Sequence, residues 1–251
     1  MALASSVFVA RMTTDELDAA IKNRPVVILL PVGAVEPHGP HLPLDTDLII
    51  SRSAAERAAH ALAARDLLAL VAPDVAYGVT EFARDFSGAV SVSNAAFAAY
   101  LRGVLDGWLR TGAAHVCVVN NHLEPAHDDA VRAAVAGFDS RQASVASPLT
   151  RKWGRTLSEE FKRGACHAGE YETSIVMAAA PGSVRDDVRA TLPPVEVSLS
   201  EQIAQGRTSF TEIGMTRSYC GDPARATAAH GEEMLARLAE MIVGEVTAAL
   251  A

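Results

Sequence analysis

The chain has 251 residues, 49% of them hydrophobic, and a net charge of −8. That length and apolar content can build a core without disulfides or structural metal, and no linker is visible, so one domain over residues 1–251 is expected. The acidic balance, with no basic run, argues against nucleic-acid or anionic-membrane partners. From the N-terminus, residues 1–17 lack the long apolar core of a secretory signal. No run approaches the ~18 apolar residues of a membrane span. "PVVILLPVG" (25–33) is apolar, rich in β-branched residues and closed by glycine, which reads as a strand buried on both faces.

Residues 46–65 read as a helix, with Thr46 as N-cap and alanine and leucine dominant after it. Residues 67–78 return to strand. Residues 93–112 form an amphipathic helix that ends at Gly112. A β-branched strand follows at 115–121, then a helix at 124–138 with Pro125 in its first turn. Residues 142–147 add a strand. Segment 151–215 is less regular and reads as loops over the sheet edge, and 221–250 opens with a turn and continues as a long helix. Alternating strands and helices predict an α/β fold of three layers, α/β/α, with a mostly parallel central sheet.

Ligands of such sheets gather beyond the carboxyl ends of the strands. Three polar clusters sit there: Glu36, His38 and Asp47 after the first strand, His122 and Glu124 after strand 115–121, and His167, Glu170 and Glu172 in "CHAGEYETS". In extended chain an E-x-H or H-x-E pair puts both side chains on one face. Two imidazoles and three carboxylates suit two divalent ions of the zinc or manganese kind, one carboxylate bridging. Two such ions ~3.5–4 Å apart can generate hydroxide at neutral pH and polarise a carbonyl. Simpler roles stand beside this one. Glu124 can serve the positive end of a helix, and His122 can bond a carbonyl. His60, His127 and His230 read as helix-surface residues, Asp45 as a turn acid and His41 as support for the ligands. The three cysteines, Cys117, Cys166 and Cys220, have no CxxC spacing, so a thiolate site is not expected and a reducing cytoplasm is.

At these residues the sequence resembles the creatininase (creatinine amidohydrolase) family. "PVGAVEPHGPHLPLDTD" is similar to the family's E-x-H-G-x-H-L-P…T-D stretch, "VNNHLEPAH" to its N-G-H-x-E-N, and "HAGEYETS" to its H-A-G-x-x-E-T-S. "YGVTEFARDFSGAVS" (77–91) is a weaker match to Y-G-x-S…F-P-G-T-x-S, and the resemblance runs roughly from residue 25 to 245. It implies a creatininase-like α/β fold and a binuclear metal hydrolase that cleaves an amide or cyclic amide C–N bond in a small molecule by hydroxide attack. Carried over by position, Glu36, Asp47 and His122 hold one ion. His38, Asp47 and Glu124 hold the other. His167 shuttles a proton to the leaving nitrogen, and Glu172 orients His167 or sits close to the metals. Zinc is the first expectation, with manganese or iron as alternatives, and a homo-oligomer, a hexamer in the family, is implied.

The departures fall at substrate-facing positions. Asn121 stands for glycine, Leu123 for tyrosine, Pro125 for asparagine, Thr80 for serine and Ala83 for histidine. Ser87 and Ala89 replace proline and threonine, and no tryptophan precedes His167 at the family's spacing. Creatinine is therefore not the expected substrate. Thr80, Leu123, Glu170 and Tyr171 are the residues expected to read it. Other family chemistries stay open: a formamide deformylase, a modified-peptide peptidase, a cyclic-ketone hydrolase, or a member that binds metal without catalysis.

Overall fold

The computed structural model describes residues 6–251. The first residues of the segment read as lacking a secretory signal, 1–5, lie outside them. In chain order the longer elements are α1 (Thr14–Asn23), β1 (Val26–Val32), α2 (Thr46–Ala63), β2 (Leu68–Val71), α3 (Asn94–Arg110), β3 (His115–Asn120), α4 (Pro125–Val135) and β4 (Ala143–Ala146). Then come α5 (Arg151–Gly154), α6 (Glu159–Lys162), α7 (Glu170–Ala179), α8 (Asp186–Arg189), α9 (Leu199–Ala204) and α10 (Ala228–Leu250).

The four strands pair in the order β2-β1-β3-β4, all parallel. Ile28 of β1 lies opposite Leu70 of β2 and Val116 of β3. Every residue of β1 and β3 is buried, as a strand covered on both faces requires. Alternate residues serve opposite layers. Val27, Leu29, Cys117 and Val119 pack with Ala54 and Ala58 of α2, Ile175 of α7 and Leu238 of α10. Val26, Ile28, Val116 and Val118 pack with Phe97 and Leu101 of α3 and Val131 of α4. The alanines of α2 are small enough to bring its axis close to the sheet. The fold is thus the α/β/α sandwich expected.

The connection through α2 covers one face and those through α3 and α4 the other. The direction of winding reverses between β1 and β3, which opens a crevice beyond their carboxyl ends. A small third cluster, with Ala83, Leu199, Phe210 and Met215, forms beside that crevice.

Three local expectations need correction. The strand expected over 67–78 stops at Val71, because Pro73 and Asp74 break the ladder; one further bridge joins Val32 and Val75. Thr46 is not the N-cap of α2. Asp45 holds that position, and the Thr46 hydroxyl donates to the Pro43 carbonyl at 2.7 Å. Segment 151–215 does more than loop over an edge. Within it α7, with Tyr171 to Val176 buried, packs against α2 and α10. Its apolar stretch is short and its neighbours are helical fragments, so periodicity over a long window misses it. The final helix begins at Ala228, where Thr227 caps it by accepting from His230 N–H at 3.1 Å. No helix among the described residues is long and apolar enough to cross a membrane.

Candidate metal centre

Glu36 and His38 lie on the proline- and glycine-rich loop that leaves β1, and Asp47 lies in the first turn of α2. The strand end and the helix start approach closely at Gly33, where a Cβ would fall 2.6 Å from that of Asp47. His122 and Glu124 follow β3, with Glu124 at the N-cap of α4. His167 precedes α7, and Glu172 is in its first turn. Between them Ala168 takes a left-handed conformation, φ 53°, which is rare for a residue with a side chain. That turn sends both His167 and Glu172 towards the crevice.

Six of these side chains converge in the interior. His122 Nδ1 is 3.0 Å from Asp47 Oδ2 and 3.3 Å from Glu36 Oε1. His38 Nε2 is 3.2 Å from Asp47 Oδ1, 3.5 Å from Glu172 Oε2 and 3.7 Å from Glu36 Oε1. His167 Nδ1 is 3.7 Å from Glu36 Oε1. Three groups could each hold an ion: Glu36, Asp47 and His122; His38, Asp47 and Glu172; and Glu36, His38 and His167. Asp47 offers a different oxygen to each of the first two.

Each of the three imidazoles is anchored at its far nitrogen by a backbone carbonyl, which can only accept. His38 Nδ1 donates to Glu36 O at 3.2 Å, His122 Nε2 to Val79 O at 2.7 Å, and His167 Nε2 to Pro37 O at 3.0 Å. This outer hydrogen bond sets the tautomer and aims the lone pair, the usual support of a metal-ligating histidine. His38 Nε2 is buried and makes no hydrogen bond despite its three carboxylate neighbours. Mixed oxygen and nitrogen donors of this kind suit zinc, manganese or iron(II).

The electrostatics agree. Burial disfavours charge on His38, but Asp47 and Glu172 outweigh it and raise its pKa to about 10. His122 is likewise raised well above its ordinary value, Glu36 and Asp47 overcoming burial. Burial raises Glu172 to about 8. Burial also works against the Glu36 carboxylate, yet His122 holds its pKa down at about 2. Asp47 is lowered for the same reason, with His38 assisting. Without a cation the cluster draws protons onto its own side chains. His167 goes the other way, to about 4, through burial and the charge on His38.

Glu124 belongs to none of the three groups. Its two oxygens accept from the backbone N–H of Glu81 at 3.0 Å and of Phe82 at 3.1 Å. In the group with His38 and Asp47 the third carboxylate is that of Glu172, where the resemblance implies Glu124. Thr80 is fully buried and donates its hydroxyl to Glu36 Oε2, so it braces a carboxylate. Glu170 turns away to His230 at 3.5 Å, and Tyr171 is buried against Phe161. Of the four residues expected to face substrate, Leu123 lines the cavity. His41 is buried beneath α7, where its Nε2 meets the Thr173 hydroxyl at 2.9 Å. His127 is not on the surface. It is fully buried, accepts at Nδ1 from Val79 N–H at 3.2 Å and packs on His122. His60 is exposed and His230 half-buried.

Glu36, Asp47, His122, His167 and Glu172 of the cluster line a cavity of about 250 Å³. Its walls are Phe82, Leu123, Leu149, Leu199, Ile203 and Phe210. Apart from Leu123 these are absent from the sequence reading. They come from three distant segments, and no spacing rule joins them.

Fold and site together define an α/β protein with a metal-capable centre at the switch point of its sheet. Residues 10–246 match the family profile "Creatininase: Creatinine amidohydrolase". A mycofactocin precursor peptide peptidase from Mycolicibacterium smegmatis is 31% identical over 84% of this chain and 81% of its own length. The creatinine amidohydrolase of Pseudomonas putida is 27% identical over 78% and 82%. A crystal structure of creatininase superposes with a TM-score of 0.74 at 22% identity, covering 98% of each chain. Solved creatininase structures include a manganese form and a Zn–Zn type. The chain belongs to the creatininase family, whose members named here are hydrolases.

Proposed function

We propose that the chain is a metal-dependent hydrolase that cleaves an amide C–N bond. Glu36, Asp47 and His122 would hold one divalent ion, and His38, Asp47 and Glu172 a second, with Asp47 between them. The observation that carries this reading is the shared geometry of the three buried imidazoles. Each is tied to a carbonyl at one nitrogen and presents the other to carboxylates. Zinc is the first expectation and manganese the second. Such ions would polarise an amide carbonyl and acidify water.

His167 moves the proton. Its Nε2–H stays on the Pro37 carbonyl, where the Ser218 hydroxyl also donates at 2.9 Å. Its Nδ1 faces the cluster, and its lowered pKa keeps the ring neutral at neutral pH. Nδ1 can therefore take a proton from the attacking water and return it to the departing nitrogen. Glu172 accepts the Ala168 N–H at 2.7 Å, which holds the turn that positions His167. The third group, with Glu36, His38 and His167, reuses side chains of the other two, and His167 is assigned to proton transfer. The higher identity to the peptide peptidase, 31% against 27%, favours a peptide amide over a free cyclic one.

Elemental analysis of protein purified without chelator tests the centre, with two equivalents per chain expected. Asp47→Ala should lose both ions and turnover on a peptide-amide panel. Protein that carries no divalent metal and gains none on dialysis would sink the proposal.

A further inference from the structure

The structure assigns the apolar wall above the carboxylates to a neutral, apolar side chain next to the scissile bond. This specificity rests on the amide-hydrolase reading of the same site. Phe82, Leu123, Leu149, Leu199, Ile203 and Phe210 enclose the space together with Cys166 and Ser200, and no lysine or arginine among the described residues lines it. Two carboxylates of the cavity are held by backbone amides. Glu124 is taken by two backbone amides and Glu172 by a third. The Phe210 ring lies over His167, centroids 4.4 Å apart and planes at 35°, and Phe82 leans on Phe210 at 5.9 Å. The apolar wall thus begins at the ring that would carry the proton. A substituent attached at the reacting amide must enter it.

A charged substituent held in the wall would lose its hydration: an acidic one would stand beside the Glu36, Asp47, Glu124 and Glu172 carboxylates, and a basic one would find no charged partner among the wall residues. A leucine- or phenylalanine-sized side chain would exchange water for wall contacts. At about 250 Å³, just below the ~300–1,000 Å³ typical of ligand pockets, the space holds one such group with the amide and not a folded partner. Phe210 is buried, Leu123 and Ile203 are half-buried, and Leu149 is 40% exposed.

The test uses the metal-loaded full chain and four N-acetylated amino-acid amides carrying Leu, Phe, Asp or Lys side chains. Equilibrium binding is read by calorimetric competition, and hydrolysis is read separately. Leu and Phe amides should bind at least roughly tenfold more tightly than Asp and Lys amides, the scale on which apolar pockets discriminate. Leu149→Asp, a change at an exposed position, should narrow the gap between the Leu and Lys amides, as should Ile203→Lys for Leu against Asp. Equal binding of all four, binding by none, or preference for a charged amide overturns the assignment even where hydrolysis is seen. An apolar preference with no hydrolysis of any amide supports the pocket and overturns the amide-hydrolase reading instead.

Discussion

His122 and His127 meet edge to face, ring centroids 4.7 Å apart, and both hang on one backbone residue. Val79 accepts from His122 Nε2–H and donates its N–H to His127 Nδ1. His127 therefore holds the peptide that holds a candidate ligand. His127→Phe keeps the ring and removes the acceptor, leaving a buried N–H unpaired. Metal affinity should fall by about 10–100-fold, the usual cost of losing such outer support. Metal titration with a competing chelator measures this. Unchanged affinity would mean that Val79 is fixed without His127.

The same segment carries a prediction about Glu124. Its carboxylate receives the amides of Glu81 and Phe82, next to Thr80, which braces Glu36. Glu124→Gln replaces one acceptor oxygen by an NH₂ that faces an N–H. The loop should shift while the ions stay. Two metal equivalents should remain in the variant, with turnover of a peptide amide reduced by tenfold or more, the size expected when a group that positions others is displaced (roughly 10–100-fold). Loss of one equivalent would return Glu124 to the ligand set.

The ligand candidates and His127 differ in how far the sequence made them legible. Glu36 and His38, and His122 and Glu124, stand beyond apolar strands as pairs spaced by two, and Asp47 opens the next helix; local pattern alone brings them to one crevice. The layers were legible for the same reason, since β-branched runs alternate with alanine-rich helices. Glu172, which the resemblance already set beside His167 or close to the metals, owes its contact with His38 to packing between distant segments, and so does the burial of His127. Glu172 reaches the cluster because α7 is buried between α2 and α10, and His127 is buried because residues 79 and 127 meet across a separation of 48 positions. Periodicity reports which face of an element is apolar. It does not report which element that face meets.

Proton and metal should compete at the centre. In the metal-free protein burial raises Glu172 to about 8, and neighbouring carboxylates, against burial, raise His38 to about 10. A group with a raised pKa holds its proton below that value, so both are protonated at pH 7 and an ion must displace them. Affinity should rise from pH 6 to pH 8 by about tenfold per pH unit for each proton released. The Glu172 contribution fades above pH 8 and that of His38 above pH 10. Calorimetry in two buffers of different ionisation enthalpy counts the protons directly. An affinity flat across this window would exclude both groups from the ligand set.

The last prediction concerns the contact that places Glu172. A Cβ built on Gly231 of α10 falls 1.8 Å from the Ser174 carbonyl oxygen and 2.9 Å from Ile175 N, so two helix backbones touch there. The Ser174 hydroxyl also accepts from Thr227 N–H at 3.1 Å, which ties the start of α10 to the same turn of α7. Helix propensity alone would make Gly231→Ala stabilising by about 1 kcal/mol. Overpacking against backbone should reverse that sign and destabilise by about 1–3 kcal/mol. Because α7 must move away to admit the methyl group, Glu172 moves with it. Metal affinity should then fall even at temperatures where the variant is fully folded. Thermal melting of the metal-free chain and metal titration of the folded variant separate the two effects. A higher melting temperature with unchanged metal binding would show that α7 and α10 are not in backbone contact at Gly231.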